Sequence, residues 1–259
     1  MGKSTSTKRG DAPSGSQTLL RGLDVLEAVA GGASSLIDLA DKLDLTRSTA
    51  HRLASALVER RYLSFVPREG YTLGSKLLEL GYGARQQTNL TRIAREPLEA
   101  LSASSEDTVH LGVLENDRAL YLEKIPGRRR VEIGSRVGEQ QPVTSTGLGK
   151  ALILDLPEER WHQIYVKEQG RALGNGEAWK TWLKRMRTYA KQGHAFDLEE
   201  NEDQIRCVSA PVREAGGRIV AAISLSSAAQ YMSDARMNTL ASDVKSAANS
   251  ISRQLGWNG

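Results

Sequence analysis

The sequence predicts a mixed α/β chain of the α+β kind, in two parts. Three observations predict it. Short amphipathic helical segments crowd the start of the chain, a brief two-stranded segment around a Pro-Arg-Glu-Gly turn follows them, and the remainder groups strand-patterned runs with amphipathic helices. At 259 residues, with 39% hydrophobic and 25% charged side chains, composition is ordinary for a globular protein and length suits two domains.

The first helix is read from Gln17 to Ala30, where Leu19, Leu20, Leu23, Val25, Leu26 and Val29 fall at helical spacing and Gly31-Gly32 stops the run. Residues 1–15, rich in Ser, Thr, Gly and basic groups, read as a disordered arm. Ser35 to Leu43, the turn Asp44-Leu45, and Thr46 to Leu57 then spell two short amphipathic helices joined tightly, a helix-turn-helix. In the second helix Ala50, Leu53, Ala54, Leu57 and Val58 make an apolar stripe, with Ser48, Arg52, Ser55 and Glu59 opposite. Thr46 is the expected N-cap. It places Arg47, Ser48, Thr49, His51 and Arg52 in the first turns, where short polar and basic groups meet base edges and phosphates in a DNA major groove.

Tyr62 to Val66 and Tyr71 to Leu73 flank Pro67-Arg-Glu-Gly70 and read as a β-hairpin. A helix-turn-helix followed by such a hairpin is a winged helix, expected over residues 16–73. Arg68 then sits at the wing tip, suited to a phosphate or the minor groove. An ordinary αα-hairpin with a polar outer face shares the helix pattern but not the wing.

Leu73 to Tyr82 begins a further helix that continues through Asn89 with few apolar groups, a linker helix expected over 74–90. The second domain is expected over 91–259, opening with an amphipathic run from Thr91 to Ser104. Val109 to Leu114 and Ala119 to Lys124 read as a hairpin, with Val131 to Ser135 a third strand. Helices are read at Leu148 to Leu154, Glu158 to Tyr165 and Glu177 to Lys191. Strands Ile205 to Pro211 and Ile219 to Ser226 surround a Glu-Ala-Gly-Gly turn, and Asp234 to Leu255 closes the chain as a helix. This grouping argues for a largely antiparallel sheet with helices outside it.

The formal net charge is +4, concentrated in residues 1–85, which carry 12 Lys/Arg against 9 Asp/Glu. That is no polybasic patch, so nucleic-acid binding must rest on local placement of arginines and on doubling by dimerisation. The single cysteine, Cys207, excludes an intramolecular disulfide framework, and no Cys/His spacing resembles a metal site. No apolar run is long enough to span a bilayer and the N-terminus lacks a signal-peptide core, so a cytoplasmic protein with no membrane partner is expected.

With these segments in order, the chain resembles the IclR family of bacterial transcriptional regulators over nearly its whole length. Three blocks carry the resemblance: Ser48-Thr-Ala-His-Arg-Leu53; Gly138-Glu-Gln-Gln-Pro-Val-Thr-Ser-Thr-Gly-Leu-Gly-Lys-Ala151; and Gly193-His-Ala-Phe-Asp-Leu-Glu-Glu200 followed by Ile205-Arg-Cys-Val-Ser-Ala-Pro-Val212. The resemblance implies a GAF-like effector-binding domain, a homodimer or homotetramer, and double-stranded operator DNA read by paired winged helices. It also implies a small carboxylate effector. Similarity around Val109-His-Leu-Gly112 and Ser135-Arg-Val-Gly138 leans toward members that answer to sugar acids.

By the same resemblance Asp197, Cys207, Ser224 and Ser226 line the effector pocket, with Gly147 and Leu148 supplying amides. The residues themselves suit that role. Thr146-Gly-Leu-Gly149 opens a helix, whose first N–H groups can seat a carboxylate. Ser224 and Ser226 lie two apart on a strand, so both hydroxyls face one side of the sheet. The loop is not a Walker A motif, because Thr144 stands where its first glycine belongs and Ala151 follows Lys150; no cofactor is expected.

The expected function is therefore DNA-binding transcriptional regulation modulated by a small acid. Two alternatives are a ligand-independent DNA-binding protein whose second domain only dimerises, and a hydrolase using Cys207 with His194 or His110 as base. The second lacks an orienting third group, and no catalytic residue is assigned.

Overall fold

The computed structural model of the chain describes residues 16–87, 89–130, 133–170, 174 and 176–259. It separates into two units, the first ending at Thr88 and the second running from Asn89 to Gly259. The arm expected over residues 1–15 lies outside the described residues.

The first unit holds α1 (Gln17–Ala30), α2 (Leu36–Lys42), α3 (Arg47–Glu59), the strands β1 (Leu63–Val66) and β2 (Gly70–Leu73), and α4 (Ser75–Gln87). A capping box starts α2: the Ser35 hydroxyl accepts from Asp38 N–H, and the Asp38 carboxylate accepts from Ser35 N–H, both at 3.1 Å. Val25 and Val29 of α1, Leu39 of α2, Ala50, Leu53 and Ala54 of α3, and Leu63 and Tyr71 of the hairpin close one small core. The expected stripe on α3 thus faces inward, with Leu57 and Val58 half-buried at its edge.

The hairpin is antiparallel and pairs Leu63 with Leu73 and Val66 with Gly70. Gly70 has φ +91°, and a Cβ there would lie 2.1 Å from the Ser34 carbonyl oxygen. That same oxygen accepts from Tyr71 N–H at 2.8 Å, so the wing is sewn directly to the residues that start α2.

The second unit opens with α5 (Leu90–Ser105), capped by Asn89, whose side chain accepts from Arg92 N–H. The linker helix read to Asn89 therefore ends earlier, at Gln87, and Asn89 serves the next helix. Then follow β3 (Thr108–Glu115), β4 (Arg118–Ile125), β5 (Gln140–Pro142), α6 (Gly147–Leu152), α7 (Glu158–Gln169) and α8 (Glu177–Gln192). The chain continues through β6 (Ala195–Leu198), β7 (Ile205–Arg213), β8 (Ile219–Ala228) and α9 (Asp234–Gln254). The strands form one antiparallel sheet in the order β5-β4-β3-β8-β7-β6.

Alternation divides this sheet into two faces. Val109, Leu111, Val208, Ala210, Ile223 and Leu225 point to one side, under Leu98 and Leu101 of α5 and Leu240, Val244 and Ile251 of α9. The other side carries Tyr121, Ala195 and Ala222 against Leu148 and Leu152 of α6, Trp161 and Ile164 of α7, and Trp182 and Met186 of α8.

Two readings of the strands change. Of the third strand expected at Val131 to Ser135, Val131 and Glu132 lie outside the described residues, and Ile133 to Ser135 form no ladder. The Lys124 ammonium takes the Ile133 and Ser135 carbonyls at 2.6 and 2.8 Å, and β5 occupies that edge of the sheet instead. The short strand β6 was not expected; it pairs with β7 and brings Asp197 opposite Cys207. Among the described residues no helix is long and apolar enough to cross a membrane.

Gly70→Ala puts a methyl group into the Ser34 carbonyl at a backbone angle that side chains avoid, and is expected to lower stability of the first unit by about 2 kcal/mol or more. Gly216→Ala, where a Cβ meets nothing within 4 Å, serves as the control in urea unfolding and should leave the midpoint nearly unchanged.

Candidate DNA-reading face and effector pocket

At the start of α3 the Thr46 hydroxyl accepts from Thr49 N–H at 3.2 Å and shares a 2.8 Å hydrogen bond with the Thr49 hydroxyl. Thr49 is half-buried and spends its side chain on the cap. Arg47, Ser48, His51 and Arg52 are exposed, and Arg68 projects at the wing tip with φ +76°. Among the described residues none of Arg47, Arg52 or Arg68 has an ion-pair partner within its unit. His51 and Arg68 line one open groove of about 840 Å³ between the start of α2, α3 and the wing; Arg47, Ser48, Thr49 and Arg52 lie outside it.

In the second unit, strand register lines up residues distant in sequence. One row across the sheet reads Thr108, Ser226, Cys207, Asp197, and the next reads His110, Ser224, Ser209, Ala195. Directly opposed residues share a face, so both rows face α6. Three glycines let α6 approach. A Cβ at Gly112 would meet a Leu148 methyl at 2.9 Å, one at Gly147 would meet the Ser209 hydroxyl at 2.8 Å, and one at Gly149 would meet Val143 Cα at 2.3 Å.

Between the rows and α6 lies a small, partly open cavity of about 40 Å³. Five of the six residues expected at the effector site line it: Leu148, Asp197, Cys207, Ser224 and Ser226. Gly147 is not in its wall, but its N–H is directed at the Cys207 sulfur. The helix start is otherwise well satisfied. Thr146 caps it by accepting from Gly149 N–H at 3.1 Å while donating to the Pro142 carbonyl, and Glu168 of α7 accepts from Val143 and Thr144 N–H at 2.9 Å each.

The buried polar groups hold their charges unevenly. Burial pushes the Asp197 carboxyl up to about 6, against the pull of the nearby Lys150 ammonium. One Asp197 oxygen accepts from Glu200 N–H at 2.8 Å. Lys150 is itself buried; it donates to the Phe196 carbonyl and pairs with Glu200, which Arg185 also holds at 2.7 Å, so the turn after Asp197 is anchored from two helices. Burial, and then Lys124, bring the His110 imidazole down to about 3.

Cys207 is buried, 3.0 Å from the Ser226 hydroxyl, and its thiol is pushed up to about 12 by burial and then by Asp197. A thiol so reluctant to ionise is a poor nucleophile. Of the two bases considered for it, His194 faces the Gln192 carbonyl and is absent from the cavity wall, and the His110 imidazole, brought down to about 3, is a poor base.

Residue patterns did not single out His110, Tyr121, Asn201 and Glu202 as part of the wall. A signal for His110 was present, since it alternates with Val109 and Leu111 and shares the inward phase of Thr108. Among the described lining residues there are two carboxylates, Asp197 and Glu202, and no lysine or arginine.

Because its folded carboxyl titrates above the unfolded value of 3.8, Asp197 burdens the fold only once pH rises through about 4 to 6. Asp197→Asn keeps the oxygen that accepts from Glu200 and removes the buried charge. It is expected to be more stable than the parent by on the order of 2 kcal/mol at pH 7.5 and equal to it below pH 4, by urea midpoints. The same difference at both pH values would contradict this.

Residues 18–67 match the family model for the IclR helix-turn-helix domain, and residues 83–253 match that for the bacterial transcriptional regulator IclR C-terminal region. The chain is 32% identical over 249 residues to the HTH-type transcriptional regulator XynR of Escherichia coli (strain K12), covering 93% of this chain and 98% of that one. It is 29% identical over 255 residues to the HTH-type transcriptional regulator KdgR of the same organism, covering 95% of each. The acetate operon repressor of Salmonella typhimurium is 27% identical over 250 residues, covering 93% of this chain and 90% of the repressor. The crystal structure of Pseudomonas aeruginosa HmgR shares the fold with a TM-score of 0.79 at 22% identity, over 94% of this chain and 99% of that one. With both domain models matched in order and full-length relatives named as regulators and repressors, the chain belongs to the IclR family of bacterial DNA-binding transcriptional regulators.

Proposed function

We propose that this DNA-binding regulator is controlled by a small carboxylate metabolite, a sugar acid or similar organic acid, held in the cavity beneath α6, and that it acts as a homodimer or homotetramer on paired operator half-sites. The observation that carries the first part is the convergence of Leu148, Asp197, Cys207, Ser224 and Ser226 on one cavity. Hydroxyls, a thiol and a carboxylate at that density suit a ligand bearing several oxygens. At about 40 Å³ the cavity is small for such a ligand, and binding is expected to shift α6 or the wall. Ligand energy is thereby coupled to conformation, as a switch requires.

For assembly, the support is exposed apolar surface in the first unit. Leu19, Leu20 and Leu23 of α1 and Leu78, Leu80 and Tyr82 of α4 are all exposed, Leu78 by 79%. Large apolar side chains repeated along two helices of a small unit favour burial against a second copy.

DNA reading is assigned to Arg47, Ser48, His51 and Arg52 on α3, with Arg68 on a phosphate or in the minor groove and Thr49 acting chiefly through the cap. Fluorescence anisotropy on operator and random duplexes tests the division. Arg47→Ala or Arg52→Ala is expected to weaken operator binding by about 1–3 kcal/mol and to narrow the gap between the two DNAs. Arg68→Ala is expected to weaken both alike and to flatten the salt dependence. Equal losses on both duplexes for all three variants would refute the assignment. A thermal-shift screen of small acids tests the sensor, since a ligand of the folded state must raise the Tm; no response to any acid would leave the second unit as an assembly domain alone.

A further inference from the structure

We propose that His110 is the specificity-determining residue of this pocket, recognising a ligand hydroxyl and so selecting polyhydroxylated acids over aliphatic ones; this rests on the effector reading above. The imidazole is buried, stacked on Tyr121 with ring centroids 4.8 Å apart, and lines the cavity. Its Nε2 is engaged with the Ser135 hydroxyl at 2.6 Å. Its Nδ1 has no partner among the described residues. A buried polar atom left unpaired lowers stability, and a partner brought by a ligand recovers that loss.

The surroundings say what that partner is. Burial keeps the ring neutral, so Nδ1 is a donor or an acceptor according to which way the Ser135 bond runs. A hydroxyl satisfies either form, whereas a carboxylate serves only a donating Nδ1. Ser224 stands directly across from His110 on β8, and Ser226 with Cys207 and Asp197 fill the adjoining row. Asp197 and Glu202 are acceptors that fit ligand O–H groups and repel a second carboxylate. An alkyl chain in this space leaves His110 Nδ1 unpaired, the arrangement in which sites reject analogues lacking a hydroxyl most strongly.

The ring is also positioned. Lys124, opposite His110 on β4, holds the Ile133 and Ser135 carbonyls and so fixes the Ser135 hydroxyl that fills Nε2. Of the two ring nitrogens, only Nδ1 is left for a further partner.

The test uses the full-length protein and isothermal titration with gluconate, galactonate and arabinonate against hexanoate and pentanoate. At least one aldonate is expected to bind about tenfold or more tightly than the aliphatic acid of equal length. His110→Phe, which keeps a ring against Tyr121, is expected to raise the Kd of that aldonate by about tenfold and leave the aliphatic acids unchanged. His110→Asn, which keeps a hydrogen-bonding atom near Nδ1, should retain most of the preference. If His110→Phe fails to fold, Ser135→Ala replaces it, with a several-fold rise in aldonate Kd expected from loss of ring positioning. An aliphatic acid bound as tightly as every aldonate, or a preference that survives the Phe variant, overturns the proposal while the effector reading stands. No binding of either class overturns both.

Discussion

Alternation along the central antiparallel strands is the constraint from which the second unit follows. Because β3, β8, β7 and β6 are in register, opposed residues fall on one face. A single choice of phase therefore puts Val109, Leu225 and Val208 under α5 and α9 while turning Thr108, Ser226, Cys207 and Asp197 toward α6. A slip of one residue in any of these strands would exchange the two sets and bury hydroxyls in the apolar core. The apolar face thus does more than stabilise: by fixing the phase, it aims the polar rows.

Close approach of α6 depends on what is missing at Gly112, Gly147 and Gly149, and the narrowness of the cavity is a consequence. In so small a space charge is expensive, and the titratable groups respond by moving toward neutrality: Asp197 upward, Cys207 upward, His110 downward. Behind the wall, Lys150 and Arg185 pair with Glu200 and brace the turn after Asp197. Two buried polar atoms, His110 Nδ1 and the Ser209 hydroxyl, stay unpaired among the described residues. Such local violations of polar satisfaction lower stability and are found where a protein must bind something.

The first unit was largely legible in sequence because its signals are local. Thr46 caps α3 as read, the Ser35–Asp38 pair starts α2, and the Pro-Arg-Glu-Gly turn makes the wing. In the second unit the long helices and central strands were equally plain. What escaped was set by distant partners. The four-residue strand β6 contains an aspartate and is a strand only because β7 is beside it. Ile133 to Ser135 has the composition of a strand, yet a lysine side chain claims its carbonyls. The pocket residues Asp197, Cys207, Ser224 and Ser226 came from family resemblance, whereas His110, whose phase the alternation around it carries, is tied to them by the register that sets it across from Ser224.

In the proposed function the second unit is a sensor whose occupancy sets DNA affinity. Thermodynamic linkage gives the direct measurement: the effector's Kd is determined on free protein and on protein saturated with operator, and operator Kd with and without saturating effector. The account predicts that both affinities change, by the same factor, about fivefold or more. Effector binding that leaves operator affinity unchanged, with a factor of one in both directions, would contradict it.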